Sequence, residues 1–209
     1  MMKKTFLLFS LCLTFTACSS LRVGDLLFHV VEEANAITVV TPDAIDHVAI
    51  YAGNGIVIEA IPNEGVTTTP LDRVLLREDG NYVWGRVRGA DTRHSVELAR
   101  KYIGLPYDSL FLPTSDAIYC SELVQLAFVG REGKRLFAPI PMSFHDATGR
   151  ITDYWTSFYR QRGMDVPEGQ PGTNPAELSK RVIVKMKGTV KPGRSRGQQL
   201  SARGRGAGQ

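Results

Sequence analysis

Two runs rich in β-branched residues, IDHVAIYAG and GIVIEAI, meet across Gly53-Asn54-Gly55. Glycine and asparagine tolerate the left-handed backbone of tight turns, so this is a hairpin signal, and it commits this part of the chain to an antiparallel sheet. Loop length decides which side chains meet. With a three-residue loop over residues 53–55, Ala52 faces Ile56 and Ala49 faces Glu59. His47 and Glu59 then share one face as diagonal neighbours, with Cβ atoms roughly 7–8 Å apart. With a two-residue loop Glu59 turns away, because a slip of one residue moves every side chain to the other face.

Further strands are expected in LLFHV after Gly24-Asp25, in GVTTTPL, in YVWGRVR and, late in the chain, in VIVKM. The segment from Phe137 to Pro141 is extended because prolines punctuate it. Helical periodicity marks residues 92–103, with Thr92 as cap and Gly104 as stop, and DYWTSFYRQRG. It also marks IYCSELVQLAFVG, with Leu123, Val124, Ala127 and Phe128 on the buried side and Gly130 at the end. Strands first, then helices without a βαβ rhythm, predict one α+β domain built on an antiparallel sheet.

Cys120 opens that last helix. A thiol there meets the partial positive charge and free amides of the first helical turn, which favour the attacking thiolate. His47, far upstream on a strand, can adjoin it in the fold. The plainer readings are a packed cysteine on an amphipathic helix and an ordinary sheet histidine. Glu59 lies in an apolar strand where an unpaired carboxylate would be costly, so a partner is expected, either His47 or an arginine. Asp108 and Glu122 read as local caps or solvated side chains. His29, His94 and His145 read as structural or surface residues, and with no ligand spacing for zinc no metal site is expected.

The chain of 209 residues begins MMKKTFLLFSLCLTFTACSS: two lysines, an apolar run from Phe6 to Phe15, then small residues. This is an export signal, too short to span a bilayer. Thr16-Ala17-Cys18 resembles a bacterial lipoprotein processing box, and acyl chains on Cys18 would hold the domain at a membrane surface. Of the three cysteines, Cys12 lies within the signal and Cys18 at its end, which leaves Cys120 alone in the exported body. The net charge of +4 combines +2 from Lys3 and Lys4, +7 from residues 185–209, and −5 from the body between them. A basic tail on a mildly acidic domain argues against nucleic acid as a partner. The tail is Gly- and Arg-rich with little apolar content, so it is expected to be disordered and able to touch anionic lipid or cell-wall polymer. The expected organisation is a signal over 1–18, a domain over 19–184 and a tail over 185–209.

GDLLF, DHVAIY with His47, IEA with Glu59, GLPYD with Tyr107, YCSELVQLAF with Cys120, and VPEGQPGTNP occur in that order. The ordered set resembles the permuted papain-like amidases of the YiiX/YaeF type, relatives of the NlpC-type cell-wall peptidases, over about residues 22–184. The resemblance implies an α+β papain-like core, circularly permuted so that the histidine strand precedes the nucleophile helix and the antiparallel sheet packs against it. It implies a cysteine hydrolase without a cofactor, in which Cys120 is the nucleophile, His47 the base and Glu59 the group that orients it. Tyr107 matches a tyrosine near the thiol, either an oxyanion donor or a packing residue. The expected substrate is an amide in a peptidoglycan peptide or an N-acyl lipid at the cell envelope, on the periplasmic side in a Gram-negative cell. Acyl transfer of the lecithin:retinol acyltransferase-like kind, and a lipid- or glycan-binding module without catalysis, are the alternatives.

Overall fold

The computed structural model describes residues 21–77, 80–113 and 116–190. Cys12, Cys18 and the rest of the signal lie outside the described residues, as does the tail beyond residue 190. Its frame is one antiparallel sheet of β1 (Asp25–Val31), β2 (Ile45–Gly53), β3 (Ile56–Ile61), β4 (Gly65–Pro70), β5 (Gly80–Val87) and β8 (Val184–Thr189). The spatial order is β4-β3-β2-β1-β5-β8. β6 (Ile140–Pro141) and β7 (Pro171–Gly172) pair separately. The α+β expectation holds.

β1 occupies the middle and is buried on both faces, so its apolar run is nearly continuous rather than alternating. Leu26 and Phe28 pack with Val48, Ile50 and Ile58 on one face; Leu27 packs with Ala49, Val57 and Trp84 on the other. The first face is covered by α2 (Thr92–Lys101), α3 (Cys120–Ala127) and α5 (Pro175–Lys180), the second by α1 (Leu71–Leu75) through Val74. α4 (Asp153–Arg160) builds a separate aromatic cluster, in which Trp155 and Tyr159 meet Phe144. α3 is the central helix: Ser121, Glu122 and Gln125 are buried along with its apolar residues.

Several local expectations are corrected. Asp91, not Thr92, caps α2, its carboxylate accepting from the His94 N–H at 3.1 Å. α3 ends at Ala127, before Gly130. β8 starts within the expected strand VIVKM and runs three residues beyond it into the segment assigned from composition to the tail, with Lys185 opposite Arg86 and Thr189 opposite Val83. An edge strand needs only one buried face, and the charges of Lys185 and Lys187 suit its exposed side. Among the described residues, no helix is long and apolar enough to cross a membrane.

The hairpin reaches the anticipated pairing by a different route. Gly53 pairs with Ile56, so the loop has two residues, and Asn54 (φ 52°) and Gly55 (φ 71°) are both left-handed, as a type I′ turn requires. That loop alone would turn Glu59 away from His47. The ladder then shifts by one, with Tyr51 opposite Val57 and Ile50 opposite Ile58, because Ala52 is an extra residue in β2. The bulge restores the register that puts Ala49 across from Glu59.

Candidate active site

A second bulge lies where β2 begins. His29 faces His47 across the β1–β2 ladder and Val30 faces Ile45, leaving Asp46 as the extra residue. Bulges re-aim side chains and are common beside active sites. Here the bulge brings the Asp46 carbonyl oxygen to 4.0 Å from the Cys120 sulfur. Cys120 is the first residue of α3 and is almost fully buried.

His47 Nε2 lies 2.8 Å from Glu59 Oε2. With that nitrogen engaged, Nδ1 is the one left for the thiol. Burial alone would lower the basicity of His47, but the adjoining Cys120 and the Glu59 carboxylate outweigh it and push its pKa up to about 9. Glu59 has no exposed surface, which would ordinarily keep it protonated, yet His47 and Arg77 hold it down to about 2. The choice between a histidine and an arginine as its partner is resolved as both: Arg77 Nη1 donates to Oε2 at 2.9 Å and Nη2 to Oε1 at 2.7 Å. Arg77 Nη1 also donates to the Tyr82 hydroxyl at 3.1 Å.

Asp46 and His29 complete a ring of contacts. Asp46 Oδ1 is 2.8 Å from His29 Nδ1, its Oδ2 accepts from Asn35 at 2.7 Å, and the His29 ring lies 5.0 Å from that of Tyr82. Burial opposes ionisation of Asp46, but the His29 contact and the Asn35 bond keep its pKa below the ordinary carboxylate value. His29, read from sequence as a structural or surface residue, therefore braces Asp46, which lines the cleft. His94 and His145 lie elsewhere, the latter 3.2 Å from Glu168 on the surface.

Cys120 opens into a cleft walled by Tyr107, Phe111, Tyr119, Met142, Phe144 and Trp155, with Asp46 and Thr173 also lining it. Burial, together with the Cys120 charge, raises the Tyr107 phenol above its usual range, so its hydroxyl keeps its proton. Phe111 sits at φ 53°, a left-handed conformation that bulky side chains rarely adopt. The Asp108 carboxylate supports it by accepting from the Leu110 N–H at 2.8 Å and the Leu112 N–H at 2.7 Å. The ring so placed stands edge-on to Tyr119 at 5.3 Å and to Trp155 at 5.7 Å. Asp108 is thus a loop brace. Glu122 is not solvated: it is buried in the first turn of α3 and its pKa is pushed up to about 8, mainly by burial, against a bond from the Tyr119 backbone.

Residues 20–181 match the family described as permuted papain-like amidase enzyme, YaeF/YiiX, C92. The chain belongs to this family. Membership makes it a cysteine hydrolase of the amidase or peptidase kind, and the histidine strand does precede the cysteine helix here. This permuted amidase is 30% identical over 146 residues to the uncharacterized protein YiiX of Escherichia coli K12, across 65% of this chain and 71% of that one. It also resembles the crystal structure of metalloprotein yiiX from Escherichia coli O157:H7, with a TM-score of 0.63 and 22% identity over 82% of this chain and 98% of the other. At that identity the likeness shows a shared fold.

Proposed function

We propose that this amidase cleaves amide bonds with an apolar acyl side, using Cys120 as nucleophile, His47 as acid and base, and Glu59 as the group that orients His47. The observation that carries this reading is the Glu59-bound imidazole beside a thiol at a helix start, opening on an aromatic cleft. The Cys120 sulfur attacks the amide carbon while the proton rests on His47; that proton passes to the departing amine as the C–N bond breaks, leaving a thioester. Neutral His47 then takes a proton from water, the hydroxide adds to the thioester, and the carboxylic acid leaves as the thiol is restored. The Cys120 backbone N–H and the Tyr107 hydroxyl are suited to the tetrahedral oxyanion, which needs donors at about 2.7–3.1 Å.

The aromatic walls favour an N-acyl lipid, or a peptide with a hydrophobic residue before the scissile bond, over a polar acyl group. Release to water is the reading adopted; added amines or alcohols that divert the product would make the enzyme an acyltransferase. Acylation of Cys18 would place it at the cell envelope. The E. coli structure is described as a metalloprotein, but the described residues here hold no group of three or more His, Cys, Asp or Glu that could bind a metal ion, so no step is routed through one. Cys120→Ala should abolish turnover of an N-acyl amide while circular dichroism stays unchanged. Full turnover in that variant would sink the mechanism.

A further inference from the structure

Glu59 is divided between two cations. Its Oε2 accepts from His47 Nε2 at 2.8 Å and from Arg77 Nη1 at 2.9 Å, while Oε1 accepts from Arg77 Nη2 at 2.7 Å. Arg77 belongs to no strand of the sheet. It follows α1 in the connection to β5, and its guanidinium is held in place by Glu59 and by the Tyr82 hydroxyl. It is not among the residues that line the cleft.

We propose that Arg77 is a positioning residue that sets how firmly His47 holds its proton, an assignment resting on the reading of Cys120 and His47 as nucleophile and acid–base. An acceptor oxygen shared by two donors gives less to each, and a guanidinium on the same carboxylate opposes a second positive charge on the imidazole. The other groups around His47 are Cys120 from α3, Asp46 on its own strand and His29 opposite it on β1, while Tyr82 from β5 meets Arg77 and the His29 ring. Cys120 and Glu59 both favour the imidazolium; Arg77 is the fixed positive charge that offsets them. Without it, Glu59 would serve His47 alone. A more basic imidazolium gives its proton less readily to a departing amine. Burial of Arg77 works against its charge, but Glu59 and Tyr82 raise its pKa still further, so it stays cationic throughout the working range.

The test follows the His47 titration by NMR on histidine-labelled full-length protein, assigned with His47→Asn, in wild type, Arg77→Gln and Arg77→Lys. The pH dependence of kcat/KM on butyryl-p-nitroanilide, an amide whose leaving amine must be protonated, is measured alongside. In Arg77→Gln the His47 titration should move up by about one pH unit, with the alkaline limb of kcat/KM following and kcat reduced. Arg77→Lys, which keeps the charge but loses the paired donors, should move it up by less. If Arg77→Gln fails to fold, the Arg77→Lys titration alone decides. A His47 titration that stays in place in the folded variants overturns the proposal, even if activity falls at every pH, because that is how a merely structural arginine behaves. Failure of the underlying reading looks different: Cys120→Ala would then keep its activity whatever the titration does.

Discussion

In the mechanism we propose, His47 has two tasks that pull its basicity in opposite directions. It must be protonated to deliver a proton to the leaving amine and neutral to draw one from water. With its pKa near 9, held there against burial by Cys120 and Glu59, kcat/KM should decline as pH rises through about 9 and the imidazolium is lost. Glu59→Gln removes the carboxylate, so that limb should move to lower pH, as a stopped-flow or plate assay across pH 6–10.5 would register. A limb that stays near 9 would mean that Glu59 does not act through His47. The residue pattern alone said that Glu59, a carboxylate in an apolar strand, needs a partner, and His47 and Arg77 supply it; the roles of Cys120, His47 and Glu59 came from the family resemblance, since a buried cysteine and a strand histidine have ordinary structural readings. Arg77 was not legible, since it sits in the charged string RVLLRED, whose short helix α1 leaves no periodic signal. Nor was the Asp46–His29 contact, which depends on a bulge that no side chain announces.

The β2–β3 hairpin shows how an element can present the right face despite an unfavourable loop. A two-residue Asn54-Gly55 turn and one bulged residue, Ala52, offset each other. Deleting Ala52 should therefore be tolerated: Gly53 still faces Ile56, Tyr51 still faces Val57, and Glu59 stays beside His47. Gly53→Val should not be, because Gly53 stands at φ 92° and an added Cβ would lie 3.0 Å from Val23 Cγ2. That strain is of order 1–3 kcal/mol, readable as a lowered Tm, and a deletion variant without activity would contradict the register argument. The sequence pattern placed the strands of the main sheet and the helices α2, α3 and α4 because their apolar periods are long enough to count, but not β7, a two-residue strand inside a turn-rich stretch. It missed α1 and α5, of five and six residues, whose helical state depends on packing by Val74, Ala176 and Leu178. It also placed the end of the domain too early, since composition cannot separate a charged edge strand from a tail.

At the scale of the whole molecule, the same ion cluster shapes stability against pH. Glu59 titrates near 2 in the fold against an ordinary 4.5, so its contribution is present above 4.5 and is lost as pH falls toward 2. His47 titrates near 9 against 6.5, so its contribution is complete below 6.5 and is lost as pH rises through 9. Thermal unfolding should show the pair at full strength between pH 4.5 and 6.5, and a His47→Ala, Glu59→Gln double variant should flatten both shoulders; an unchanged profile would mean that the cluster does not couple to folding. The sheet also separates the two ends of the described part of the chain. Gly24 enters beside Tyr51, near the hairpin, whereas Val190 leaves beside Tyr82, across from His29 and the reactive end. His29 lies four steps along β1 from Asp25, about 13 Å at the usual strand rise. A leash at Cys18 would thus grip the domain by its heel: the hairpin end would rest toward the bilayer and the cleft would look outward, working on whatever arrives from the aqueous side.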